Sequence, residues 1–213
     1  MRERGYGMPG EETPSPRLRR LRPGELDADQ RALYEEIVSG PRGRGPRLFA
    51  LTDDAGGLEG PFNAMLLRPA LGHALQALGA AIRYRGALPD RCREIAILVV
   101  AAVWDSAFER HAHEAVGRAA GLADEELRAL RAGDHAALAG ERERLVADTA
   151  RALADRGDLT DEEYARARDA LGDDGVFELT TLVGYYATLA LQLRVFRVAA
   201  PRGDGPARGR DRG

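Results

Sequence analysis

Two helical patterns joined by a three-residue break at Trp104-Asp105-Ser106 occupy the stretch from Leu88 to Gly121, and this pair constrains the fold more than any other segment. A break that short favours helices folded back on each other. In the first helix Cys92, Ile95, Val99 and Ala102 recur at helical spacing and form a packing side. In the second, Phe108, Ala112, Ala115, Val116 and Ala119 do the same. Glu94 lies early on the first helix and His113 one turn into the second, so an antiparallel pair can bring a carboxylate and an imidazole into one pocket.

Most of the remaining chain repeats at the helical period. Asp27 or Asp29 can cap a helix running through Ile37 and stopped by Ser39-Gly40-Pro41. Pro41 to Phe62 is Gly-rich and predicts an irregular loop. Pro69 opens a helix whose apolar stripe is Leu71, Leu75, Leu78 and Ile82. Further helices are expected from Asp124 to about Gly133, from Glu141 to Asp155, and from Thr160 to Gly172. The last, Val176 to Val198, is apolar on most faces and belongs in a core or a subunit interface. No strand pattern and no internal repeat is present. The expectation is a single all-α domain, a compact helical bundle over residues 21–200, with disordered segments at 1–20 and 201–213.

The chain has 213 residues and no lysine, so its 31 basic residues are all arginine. They are offset by 34 acidic residues, giving a net charge of −3 and no basic footprint for nucleic acid. A lone cysteine, Cys92, excludes a disulfide framework and a Cys-x-x-Cys redox pair; it reads as a small buried hydrophobe. The N-terminus lacks the apolar core of a secretory signal, and no uninterrupted apolar run is long enough for a bilayer. These features predict a soluble, cytoplasmic protein without membrane or nucleic-acid partners.

Within the hairpin, Ser106, Glu109 and His113 are spaced three and four apart and line one edge of the second helix. His111 and His113 are about 200° apart, so only one of them can point into a given pocket; the register with Ser106 and Glu109 favours His113. Plainer readings stand beside this one. Ser106 and Glu109 fit the capping box that satisfies free amides at a helix start. Glu94 could be salt-bridged to Arg93 or Arg118, and His113 could be a satisfied core histidine. Glu94, Glu109 and His113 could in principle hold a metal, but no paired His-x-x-x-His or cysteine ligand set accompanies them. Neither a metal nor a cofactor is therefore expected.

These residues resemble the carboxymuconolactone decarboxylase family, whose wider membership includes the alkylhydroperoxidase D-like proteins. The likeness is carried by Gly60 to Leu66 with Pro69, by Leu88-Pro89 with Arg93 to Leu98, by Trp104, Ser106, Glu109 and His113, and by Ala120-Gly121-Leu122. Gly184-Tyr185-Tyr186 adds to it. The resemblance implies an all-helical fold that assembles as trimers or hexamers, with Glu94 and His113 as the pocket pair. Family peroxidases place cysteines at the positions held here by Ser106 and Glu109, so thiol peroxidase chemistry is not expected. Many relatives carry tryptophan where this chain has Arg110.

The activity implied is cofactor-free decarboxylation of a small cyclic or aromatic carboxylic acid. Loss of carbon dioxide beside a conjugated carbonyl leaves a dienolate, which needs a proton and charge stabilisation. His113 is then the general acid/base, Glu94 its partner and Glu109 an assistant. Arg110 is placed to hold an anionic substrate, and Phe62, Asn63, Trp104, Tyr185 and Tyr186 are candidates for the pocket wall. Loop arginines Arg42, Arg44 and Arg47 could steer an anion. The same pair could instead serve an isomerase, dehydratase or cyclase, or a ligand-binding oligomer without catalysis.

Overall fold

The structure, a computed structural model, describes residues 15–40 and 48–200. The expected disorder of the two chain ends and the loop arginines Arg42, Arg44 and Arg47 lie outside the described residues, apart from residues 15–20. Those six are held to the body: the Arg17 amide donates to the Phe196 carbonyl at 2.9 Å, and the Asn63 side chain donates to the Arg19 carbonyl at 3.1 Å.

Among the described residues the fold is all-α, with eight α-helices and no strand beyond one isolated bridge between Thr52 and Leu58. The helices are α1 (Ala28–Ser39), α2 (Pro61–Met65), α3 (Pro69–Arg85), α4 (Asp90–Val103), α5 (Ala107–Ala119), α6 (Asp124–Ala132), α7 (Glu141–Arg156) and α8 (Asp161–Phe196). Asp27 caps α1 and receives the Gln30 amide at 2.8 Å, as its sequence position predicts. Thr160 caps α8 in the same way. Gly172 takes φ 75° and ψ 169°, a backbone open to glycine, and bends α8 where the sequence divides it in two.

Helix α4 is the centre, buried from Cys92 to Ala101 and packed against α5, α6, α7 and α8. A helix buried over most of its length needs partners on every side, and α4 has them. Arg91 at its start ties three elements together. It reaches Glu143 of α7 at 2.7 Å, Glu126 of α6 at 2.9 Å, and the Gly121 carbonyl. The carboxylate of Glu178 on α8 accepts the Ala87 amide at 2.7 Å, anchoring the turn that feeds α4. The apolar part of α8 is long and apolar enough to cross a membrane by length and composition, although Glu178 and Arg194 interrupt it; half of it is buried inside the fold. Its side chains Leu179, Leu182, Tyr185, Tyr186 and Leu189 form part of the core.

Helix α3 keeps only half of its predicted stripe inward: Ile82 is in the core and Leu75 packs against it. Leu71 is 65 % exposed and Leu78 38 %, whereas Gly72, Gln76, Gly79 and Ile82 face inward. The small residues decide this. At Gly72 an added Cβ would lie 2.4 Å from Leu33 Cδ2 and 2.6 Å from the Met65 carbonyl oxygen. Close approach of backbone along the glycine side turns Leu71 and Leu78 to the surface.

Candidate active site

The break between α4 and α5 turns the chain through Asp105, at φ 47°, and sets the two helices side by side. Glu94 of α4 and His113 of α5 meet inside: Nδ1 of the imidazole is 2.7 Å from Glu94 Oε2. Glu94 has no exposed surface and His113 only 5 %. On the other edge of the ring, Nε2 is 3.5 Å from Oε2 of Glu109, one helical turn earlier on α5. The imidazole thus sits between two buried carboxylates that approach opposite nitrogens. Three groups so arranged cannot converge on one ion, and no cluster suited to a metal occurs among the described residues.

Burial is the largest influence on the Glu94 carboxyl and pushes its pKa up. The positive charge and hydrogen bond of His113, with the charges of Arg83 and Arg93, together outweigh it and hold the pKa below the usual carboxylate range. Arg93 Nε approaches the second carboxylate oxygen of Glu94 at 3.5 Å without a hydrogen bond. Arg118 is engaged elsewhere, with Asp124 at 2.8 Å. Because an ionised carboxylate only accepts, the His113 proton shared with Glu94 is assigned to Nδ1. That leaves Nε2 as the nitrogen that faces Glu109.

A cavity of about 20 Å³ lies beside this edge of the ring, lined by His113 and Glu109 together with Phe62, Phe108, Tyr185 and Tyr186. The ring of Tyr186 meets the imidazole edge-on at 5.1 Å, and Tyr185 packs against Tyr186 in the same way at 5.2 Å. Of the residues expected at a pocket wall, Phe62, Tyr185 and Tyr186 line this cavity. Phe49, Phe108, Ala112 and Leu189 also line the cavity. Phe49 belongs to an irregular loop and carries no periodic signal by which it could be found.

Other candidates are used differently. The capping box does not form: Ser106 makes no side-chain cap, and its buried hydroxyl has no hydrogen-bond partner. Glu109 is turned to His113 instead. The amide of Asn63 is spent within the fold, accepting from the Leu21 amide at 2.9 Å and donating to Arg19. Arg110 lies 3.5 Å from Asp105 at the hairpin tip and is absent from the cavity wall. Trp104 ends α4, with the Arg194 guanidinium 5.7 Å from its ring centre, and also stands away from the cavity. His111 lines a second, outer cleft, so the two histidines face different spaces.

The segment that builds this pair, α3 to α7, coincides with a match to the carboxymuconolactone decarboxylase family over residues 69–152. That match is confined to the central helices and spans less than half of the chain. Two solved structures share the wider fold of the chain. One is an alkylhydroperoxidase AhpD core protein from Ralstonia eutropha JMP134, an uncharacterized peroxidase-related protein. It superposes with a TM-score of 0.70 at 16 % identity, covering 88 % of this chain and 93 % of its own. The other is an AhpD-like protein of unknown function from Agrobacterium tumefaciens, with a TM-score of 0.59 at 18 % identity, covering 68 % and 99 %. At such identities the likeness is one of fold. No curated protein sequence matches the chain.

Proposed function

We propose that the chain is a member of the carboxymuconolactone decarboxylase family and a cofactor-independent acid–base enzyme of the decarboxylase type, acting on a small cyclic or aromatic carboxylic acid in the cytoplasm. What carries the reading is the His113 ring held between two buried carboxylates, one fixing its tautomer and the other beside a cavity. In the reaction the bond from ring carbon to carboxylate breaks, carbon dioxide leaves, and the electron pair remains as a dienolate. A second proton, carried on His113 Nε2, then passes to the carbanionic carbon, leaving the Nδ1–H tautomer that Glu94 holds, and is regained from water. Glu94 orients the ring and balances its positive charge; Glu109 stands where it can pass the proton. The enclosing aromatic side chains keep water scarce, which strengthens these interactions.

Thiol peroxidase chemistry fits poorly. The single cysteine, Cys92, is buried on α4, and burial pushes its thiol pKa up, away from the reactive thiolate. A proton-transfer isomerase, dehydratase or cyclase would use the same three side chains without releasing carbon dioxide. The exposed Leu71 and Phe177 favour assembly into a homo-oligomer, with trimers or hexamers implied by the family. Carbon dioxide release from a panel of cyclic β,γ-unsaturated and aromatic acids, compared for the intact protein, His113→Ala and Glu94→Gln, tests the reading. Loss of a general acid is expected to cut turnover by about 10²–10⁴-fold. Equal turnover in all three proteins would remove the assignment.

A further inference from the structure

The cavity beside His113 has room for about one water molecule, too little for any organic acid. A far larger space lies close by: an outer cleft of about 1100 Å³ between the segment 16–20, the loop 49–60, His111 of α5 and residues 198–200. One side chain borders both. Phe49 lines the cavity and the cleft alike, and it is half-buried, packed on the cluster of Phe108, Ala112 and Leu193. It belongs to no helix. The opposite cavity wall, by contrast, is Tyr185, Tyr186 and Leu189 of α8, held in the core.

We propose that the outer cleft is the substrate-binding site, with Phe49 as the partition that the reacting end of the substrate displaces to reach His113. This rests on the role given above to His113 and adds the place and class of the substrate. The cleft balances its charges. Arg17, Arg19 and Arg20 are matched by Asp53, Asp54 and Glu59, and Arg20 bridges Asp53 at 2.8 Å and Glu59 at 2.7 Å. Such a wall does not select a polyanion. It accepts an uncharged, ring-bearing body, while the one carboxylate travels to the imidazole. His111, exposed on the cleft wall, is a donor for a polar substituent on that body.

Acylation by diethyl pyrocarbonate, read histidine by histidine by mass spectrometry, tests this without a turnover assay, so a failure of the catalytic reading would leave its result intact. Phe49→Ala is expected to speed His113 labelling about tenfold by lowering the cost of local opening, with His73 and His135 unchanged as controls of folding. Leu189→Ala, which enlarges the cavity from the α8 side, is expected to leave the rate alone. Phe49→Leu serves if the alanine variant accelerates every histidine. The probe 2-naphthoate is expected to slow labelling of His111 and His113 together, and inorganic phosphate to slow neither. Unchanged His113 labelling in the Phe49 variants, or equal acceleration by Leu189→Ala, overturns the route. Absence of protection by 2-naphthoate, or protection by phosphate, overturns the substrate class.

Discussion

Nδ1 of His113 and Oε2 of Glu94 lie 2.7 Å apart across the contact between α4 and α5, with the carboxylate fully enclosed. A buried ion pair of this kind is costly to break from one side, because the surviving charge has no water to turn to. Glu94→Ala is expected to lower unfolding free energy by about 3–5 kcal/mol, measured by chemical denaturation at neutral pH. Glu94→Gln keeps the shape and is expected to cost less.

The same pair sets the acid limb of stability. The pKa of Glu94 is lowered in the folded protein relative to its ordinary value of 4.5. The unfolded chain therefore binds the proton first, and the stabilisation is present in full above 4.5. It is lost as pH falls below that value through the folded pKa. The difference in stability between the intact protein and Glu94→Gln is thus expected to be constant near neutrality and to shrink in acid. A difference that grows as pH falls would contradict the direction of the shift.

How much of this is legible in the sequence differs from element to element. The hairpin and its Glu94–His113 meeting are legible because a sharp break and two helical periods fix both the fold-back and the register. The apolar stripe of α3 is right at Leu75 and Ile82 but misleads at Leu71 and Leu78, because hydrophobic periodicity counts apolar mass and misses the closeness that Gly72 allows. The pattern at Ser106 fits a capping box, yet its amide donates to the Ala101 carbonyl at 2.8 Å and its ψ is 96°. The hydroxyl therefore makes no cap, and Glu109 goes to the imidazole. Phe49 is invisible because irregular loops carry no period, and the cavity wall there is set by tertiary packing.

Ser106 and Thr160 offer a direct comparison of two residues at helix N-termini. Thr160 Oγ1 accepts the Glu163 amide at 3.2 Å, whereas Ser106 Oγ caps nothing. Thr160→Ala is expected to cost about 1 kcal/mol, the ordinary worth of a cap. Ser106→Ala removes a buried hydroxyl that has no partner, and is expected to be within about 0.5 kcal/mol of neutral or slightly stabilising. Thermal unfolding of the two variants side by side distinguishes them; an equal loss in both would mean that Ser106 does cap α5.

Two helical glycines should respond oppositely to alanine. Gly184 on α8 has nothing within 4 Å of an added Cβ, so Gly184→Ala gains helix propensity alone, about 1 kcal/mol of stabilisation. Gly72→Ala gains the same propensity but drives a methyl into Leu33 Cδ2 and the Met65 carbonyl oxygen. The leucine tip can move aside; the carbonyl belongs to backbone and cannot without shifting α2. Overpacking of this kind costs about 1–3 kcal/mol, so the net change is a loss. Denaturation curves that showed both variants stabilised would mean that α3 can slide away from α1, and that its exposed leucines are not fixed by the glycine contact.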